Sequence, residues 1–295
     1  MEIRNLLTFI HVAELNSFTK AAKVLDYSQS TVSFQIKQLE TELGALLFER
    51  INHTLTLTDQ GRELLEYAHK MCHLMDEFDQ GRDSKHEIRD RIHIATSDSI
   101  AEDMIYGHYM HFHQLYPGIS IKFTPADTEH MFEMLDQNEV DIVFTLDRHV
   151  YNRDYVIVKE IERETHFVVG SRSPLAARKQ IPILELAEHP FYLTEKGMGY
   201  RKVMDEALAK KSIEIDPILE ISRTDIITAL LEQNDAVSFL PDFVTEEKVR
   251  EGSIVRLDVP DFHIEIWKQM IHHKNKWISK ALSCFINYVC EHEFS

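Results

Sequence analysis

Basic residues are scarce in this chain. It holds 32 Lys and Arg against 49 Asp and Glu in 295 residues, a formal charge of −17. Charge alone argues against nucleic-acid binding, which normally leaves a basic footprint. Long apolar runs are missing too. None approaches the ~18 residues that span a bilayer, and no secretory signal precedes the first helical pattern. There are only three cysteines, an odd count, which predicts free thiols in a reducing compartment and a cytoplasmic protein. Cys284 and Cys290 stand six apart on a predicted helix, so they face different directions. A thiol switch would also need an exposed, activated thiolate. Catalytic signatures are absent as well: no glycine-rich phosphate loop, no GxSxG elbow and no HExxH. No catalytic residue, cofactor or metal ligand is assigned.

What is present begins at Ser17–Glu40, SFTKAAKVLDYSQSTVSFQIKQLE. Ser17 can cap a helix whose inner face is Ala21, Ala22, Val24 and Leu25. Asp26-Tyr27 breaks the pattern, and Ser28 can cap a second helix. At about 100° per residue, Val32, Ile36 and Leu39 share one side. Ser30, Phe34 and Lys37 fall roughly opposite, with Ser33 at the edge. Small residues at Ala21 and Ala22 let two helices approach closely. The pair has the form of a helix-turn-helix, whose second helix offers its first turns to base edges. On this reading Ser28, Gln29, Ser30, Ser33, Phe34 and Lys37 meet DNA, with Phe34 suited to a thymine methyl. Thr31 and Arg50 suit phosphates. An ordinary amphipathic hairpin would show the same spacing, with Phe34 packed on the first helix.

From Thr58 to Arg89 the pattern predicts one long helix. Leu64, Tyr67, Met71, Leu74 and Phe78 recur at three- and four-residue steps, a coiled-coil seam. Leu65, Ala68, Cys72 and Met75 form a second stripe. The seam either pairs with a second copy or packs on its own chain. Gly81 and the charged run Arg82–Arg91 mark a linker. Beyond Arg91 strands and helices alternate. Strands are predicted at Ile92–Ala95, Ile119–Phe123, Val140–Phe144, Tyr155–Val158, Phe167–Gly170, Phe191–Leu193, Ile218–Glu220, Val237–Leu240 and Ile264–Met270. Helices are predicted at Ile100–Leu115, Met131–Gln137, Asp225–Leu231 and Trp277–Cys290. This is an α/β pattern with mostly parallel sheets.

The chain resembles the LysR-type transcriptional regulators over nearly its full length. The matching segments run in order: SFTKAA, YSQSTVSFQIKQLE, LGALLFER, LTLTDQG, RIHIATSDSIAEDM, QLYPGI, VDIVF, SPLA and AVSFLP. Two departures stand out. Ser30 replaces the family's usual proline, and Phe34 its frequent arginine. The wing INHTLTLT, residues 51–58, has no Lys or Arg. Residues 1–65 hold six basic residues against eight acidic, so few phosphates can be neutralised.

The resemblance implies a winged helix-turn-helix at 1–58, a dimerisation helix and hinge at 59–90, and an effector-binding domain at 91–295. That domain would consist of two Rossmann-like subdomains, as in periplasmic binding proteins: 91–162 with 267–295, and 163–266. It implies a sequence-specific transcription regulator, homodimeric or homotetrameric, with double-stranded DNA, a small-molecule effector and RNA polymerase as partners.

In open α/β sheets a ligand sits at the carboxyl ends of the strands. Those ends carry Thr96, Ser97, Asp98 and Ser99, then Asp127 and Thr128, then Thr145. Thr194–Arg201, TEKGMGYR, is a glycine-containing loop, and Ser222 and Thr224 precede a helix. The effector set is therefore Thr96, Ser97, Ser99, Thr128, Thr145, Thr194, Arg201 and Thr224. Arg201 would neutralise a carboxylate; Asp98, if turned inward, would favour an amine or hydroxyl. Seventeen histidines raise a metal-responsive alternative, through His69, Cys72 and His73 or through His108, His111 and His113. Neither cluster supplies four ligands. Two further readings remain. One is a ligand binder whose N-terminal helices only dimerise, which the exposed polar face of the second helix opposes. The other is an enzyme, which lacks an identifiable nucleophile and base.

Overall fold

A computed structural model describes residues 2–51, 54–81 and 88–294. Within those spans the side chains of Arg50, Ile51, Thr54 and residues 73–81 lie outside the described set.

The N-terminal unit is a three-helix cluster with a two-stranded wing. Helices α1 (Ile3–Leu15), α2 (Phe18–Val24) and α3 (Gln29–Leu43) precede β1 (Phe48–Ile51) and β2 (Thr54–Leu57). Ser17 accepts from the Lys20 amide and Ser28 from the Thr31 amide, so both serines cap as their chemistry allows. Ala21 and Ala22 are buried, and α2 packs closely on both α1 and α3. The core gathers Phe9, Ile10, Val32, Ile36, Leu39 and Phe48. A buried bond of 2.7 Å from the Thr8 hydroxyl to Gln35 Oε1 pins α3 to α1.

Helix α4 spans Asp59–Gly81. It starts one residue later than the pattern suggests, and residues 82–87 lie outside the described residues. Its two stripes do different work. Leu65, Ala68 and Cys72 are buried against the N-terminal core, while Tyr67 and Met71 remain 53% and 41% exposed. Leu64, expected in the exposed seam, instead lies half-buried against the chain's own core. Leu74 and Phe78 are outside the described side chains. Gly61 is where α4 meets the wing. A Cβ there would sit 2.1 Å from the Leu47 carbonyl oxygen.

The remaining chain forms two sheets. The first is ordered β4-β3-β5-β12-β6, from β3 (Asp90–Thr96), β4 (Ile119–Pro125), β5 (Ile142–Asp147), β6 (Tyr155–Glu162) and β12 (Trp267–His273). The second contains β7 (Thr165–Gly170), β10 (Val237–Pro241) and β11 (Ile254–Arg256). A short pair, β8 (Tyr192–Leu193) and β9 (Leu219–Glu220), joins it through a parallel bridge from Phe191 to Val237.

Helices α5 (Asp98–Met104), α6 (Met110–Leu115), α7 (Thr128–Asp136), α8 (Ile183–Leu186), α9 (Gly199–Ala209), α10 (Thr224–Leu231), α11 (Asp242–Glu251) and α12 (Lys280–His292) cover the sheets. The expected helix at 100–115 is present but carries a π turn at Ile105–Tyr109.

The expectation of mostly parallel sheets needs correction, because the architecture is mixed. β3 runs parallel to β4 and β5, yet β12 is antiparallel to both β5 and β6. In the second sheet β7 is antiparallel to β10 and β11. The reason is the connection. A parallel pair needs a crossover segment, whereas β7 and β12 are each entered directly from the other sheet. Two boundaries move for related reasons. The strand expected at Ile264–Met270 pairs only from Trp267, since the preceding residues form the passage between sheets. The last helix begins at Lys280, where Ser279 caps it by accepting from the Leu282 amide.

The close approach at Gly61 gives a test. Gly61→Ala should destabilise the N-terminal unit by about 1–3 kcal/mol through forced separation of wing and helix. Chemical denaturation followed by hydrogen exchange of α1–α3 amides would measure it, and wild-type protection would contradict the contact.

Candidate nucleic-acid interface and ligand cleft

Helix α3 divides its residues as a reading helix must. Val32, Gln35, Ile36 and Leu39 face inward. Ser28, Gln29, Ser30, Phe34 and Lys37 are exposed, and Ser33 and Thr31 are half-exposed. Phe34 is 67% exposed, so it does not pack against α2, the first helix of the pair. The polar residues are pre-arranged: Gln29 Nε2 donates to Ser33 Oγ at 2.9 Å, and the Ser28 hydroxyl lies 2.7 Å from that of Ser30 and 2.8 Å from that of Thr31. Thr31 is thus engaged at the cap. Arg50 falls outside the described side chains.

The second candidate site lies where the two sheets face each other. Two glycines show how close they come. A Cβ on Gly199 would sit 2.2 Å from the Leu146 carbonyl oxygen, and one on Gly197 would meet Asp127 at 3.7 Å. The loop Thr194–Gly199 is therefore pressed onto the ends of β4 and β5. Gly197 also has φ +94, a conformation costly to other residues. Two ion pairs span the boundary: Arg223 to Glu102 at 3.6 Å and Arg148 to Glu206 at 2.6 Å. The Glu102 carboxyl is pushed up by burial first and then by Asp225; Asp98 adds in the same direction. The boundary is acidic.

The eight expected ligand residues fare differently. Thr96, Ser99, Thr145, Thr194 and Thr224 are buried. The Thr96 hydroxyl donates to the Phe144 carbonyl at 3.2 Å, and Thr145 accepts from Gln269 at 3.4 Å. Ser97 lies 3.2 Å from Ser99, hydroxyl to hydroxyl, and Thr128 donates to Asp147 at 2.9 Å. Asp127 caps α7 by accepting from the His130 amide at 2.8 Å. Arg201 is engaged largely within its own subdomain. Its side chain is 1% exposed, its Nε donates to both oxygens of Asp205 at 2.9 Å, and its Nη1 donates to the Thr194 carbonyl at 2.7 Å. Those bonds hold the Thr194 loop, while Arg201 Nη2 stays buried without a hydrogen-bond partner.

The buried Tyr200 phenol has the Thr194 side chain as its hydrogen-bonding neighbour. Tyr200 is not among the residues that the sequence singles out; its only signal there is its place in the TEKGMGYR loop. Burial pushes its phenol up to about 12.

The histidines and cysteines are occupied by packing. His69 stacks on Trp277, His113 on Tyr109, and His111 Nδ1 lies 3.0 Å from the Tyr288 hydroxyl. His73 is outside the described side chains. Among the described residues no group of three His, Cys, Asp or Glu is placed to hold a metal ion. Cys72 is buried, and burial pushes the Cys290 thiol up, away from thiolate. No helix is long and apolar enough to cross a membrane among the described residues.

Replacing Arg201 separates the two roles considered for it. Arg201→Ala should lower stability by about 1–3 kcal/mol, since it frees the Thr194 loop, while Asp205, 34% exposed, keeps its water. Urea unfolding would read this, and an unchanged midpoint would return Arg201 to a ligand-facing role.

Comparison with known proteins agrees with this geometry. Residues 3–62 match the bacterial regulatory helix-turn-helix protein family of lysR type, and residues 85–293 match the LysR substrate binding domain. The HTH-type transcriptional regulator YwqM of Bacillus subtilis is 29% identical, covering 97% of this chain and 98% of its own. The RuBisCO operon transcriptional regulator of Allochromatium vinosum is 28% identical, covering 98% and 95%. Among solved structures, a full-length OxyR variant from Pseudomonas aeruginosa shares the fold with a TM-score of 0.59 at 17% identity, covering 100% and 96%. A reading helix with an exposed polar face, a linker helix and two facing α/β sheets, matched end to end by both domain families, place this chain in the LysR family of helix-turn-helix transcription regulators.

Proposed function

We propose that Gln29, Ser30, Ser33, Phe34 and Lys37 read base edges, with Ser28, Thr31 and Arg50 near the backbone. A small-molecule effector occupies the boundary between the two α/β subdomains, among Thr96, Ser97, Ser99, Thr128, Thr145, Thr194 and Thr224. The observation that carries the cleft reading is the approach of the Thr194 loop to the strand ends at Gly199 and Leu146, beside Arg201 Nη2, a buried group without a hydrogen-bond partner. A buried polar group without a partner costs about 1–3 kcal/mol, and a ligand that bonds it recovers that cost. The surrounding carboxylates, Asp98, Glu102, Asp127 and Asp147, favour an effector bearing an amine or hydroxyls over a simple carboxylate.

Exposed Tyr67 and Met71, with Leu74 and Phe78, pair with the same helix of a second subunit, giving a dimer or a tetramer. Effector binding then shifts the population of subunit arrangements, and RNA polymerase is the downstream partner. The protein acts in the cytoplasm, needs no cofactor and catalyses no reaction.

The test is a gel shift with DNA from immediately upstream of this protein's own gene, followed by randomised-site selection. Ser33→Glu places a carboxylate on the reading face. It should abolish operator binding while sedimentation shows the same oligomer; retained affinity would remove α3 from the interface. Thr194→Val removes a hydroxyl from the boundary and should weaken the effector response about tenfold, with effector-free stability changed by no more than about 1 kcal/mol. A full response in that variant would place the effector elsewhere.

A further inference from the structure

The first α/β subdomain carries a surface that receives the chain's own reading head. Glu14, at the end of α1, is the contact's centre, and its side chain is only 7% exposed. Its Oε1 accepts from the Trp277 backbone amide at 2.9 Å, and its Oε2 from Asn138 Nδ2 at 3.4 Å. Both donors belong to the regulatory half, more than a hundred residues away. Trp277 packs against the core of the N-terminal unit and stacks on His69 of α4, ring centroids 6.5 Å apart. Lys20 of α2 adds a bond to Gln137 at 3.3 Å.

The receiving surface is itself braced. Lys276 donates to Asn138 Oδ1 at 2.6 Å and lies 2.6 Å from Asp141 Oδ1. The other oxygen of Asp141 accepts from the His93 amide at 2.7 Å. His93 lies in β3, the strand that ends at Thr96 in the cleft. Asn138 holds φ at +53, a left-handed conformation that asparagine tolerates better than most residues. The docking point is thus tied by continuous bonds to the sheet that carries the cleft.

We propose that Glu14 with Trp277, Asn138 and Lys276 forms a latch that docks the DNA-reading unit on the first α/β subdomain and fixes the direction of α3 relative to it. The chemistry makes the latch reversible. A buried carboxylate loses its water and here gains one amide and one weaker side-chain bond. Lys276 attracts it without a direct ion pair, because that ammonium is bound to Asp141 and Asn138. Burial outweighs Lys276 and pushes the Glu14 carboxyl up. His11, 3.8 Å away, is pushed down by burial and then by Lys276, so it adds little positive charge. A contact whose desolvation cost nearly offsets its bonds opens readily. In an oligomer the direction of each reading helix sets which half-site spacing can be engaged.

Amide hydrogen exchange on the full-length chain tests the latch. The Trp277 amide is protected only while Glu14 accepts from it. Glu14→Ala should lower its protection about ten- to a hundredfold, while the amides of Phe9–Ala13 within α1 keep theirs. Asn138→Asp provides the second variant, acting from the other side of the contact. It removes a donor and places a carboxylate against Glu14, with no change to the reading unit's own residues. It should produce the same loss, and the double variant should lose no more than either single one. Wild-type protection at Trp277 in Asn138→Asp overturns the proposal, whatever Glu14→Ala does to α1.

Discussion

The regulatory half depends on a lysine that sees no water. Lys268 sits in β12, 1% exposed, with Asp103 at 3.0 Å and Glu293 at 2.8 Å. An unpaired ammonium in that position would carry a desolvation penalty of several kcal/mol. Its two carboxylates therefore have to arrive from elsewhere in the chain: Asp103 on α5 and Glu293 just beyond α12. The rings of Phe243 and Phe294 lie 5.8 Å from the ammonium and close the site. Arg163 donates to the Glu293 carbonyl at 3.2 Å, in the passage from the first sheet to the second. One buried charge thus gathers the returning strand, the first helix of the cleft, the chain's last turn and the hinge.

This arrangement explains why the cleft is built as it is. β12 enters the first sheet only after the second has been completed, so neither sheet closes independently of the other. The connection fixes the back of the cleft, while the front is held by groups that exchange partners at low cost. Arg223 is half-exposed and shared between Glu102 and Asp225. Such exposed pairs are each worth about 0–1 kcal/mol, so they permit small changes of closure. The close approach of Gly199 to Leu146 sets the limit of that closure. A ligand at the site proposed above would act against this weak front and not against the rigid back.

Much of the molecule is legible from residue chemistry. Ser17 and Ser28 cap because a serine before an apolar period can do little else. The inward and outward faces of α3 follow from its 3.6-residue period. Tyr155–Val158 and Phe167–Gly170 read as strands because their apolar residues run as sheets require, and the structure extends them to Tyr155–Glu162 and Thr165–Gly170. What the sequence conceals depends on partners remote along the chain. Leu64 fits the exposed seam by its spacing, but the wing and α1 fold back against it. Arg201 suits a ligand because a loop arginine looks available, yet Asp205 lies one turn along the same helix and takes it. The mixed sheet direction has no local signal, since strand polarity is decided by where the chain returns. Tyr200 gives no signal because its burial against the Thr194 side chain exists only once the core has closed around it.

The remaining tension is between an acidic molecule and an acidic target. The reading face resolves it by separating specificity from attraction. Gln29 and Ser33 bond to each other, so their amide and hydroxyl are ordered before DNA arrives and lose little freedom on binding. Phe34 adds apolar contact that salt does not screen. Lys37 is the sole cation on the exposed face of α3 among the described residues. Under the contacts proposed above, affinity would come from base-edge fit and from linking several heads in one oligomer, not from counterion release. It also leaves little nonspecific binding to compete with the operator. The same logic makes orientation matter more: when few phosphate contacts guide the reading head, its position relative to its neighbour must be set by the protein itself.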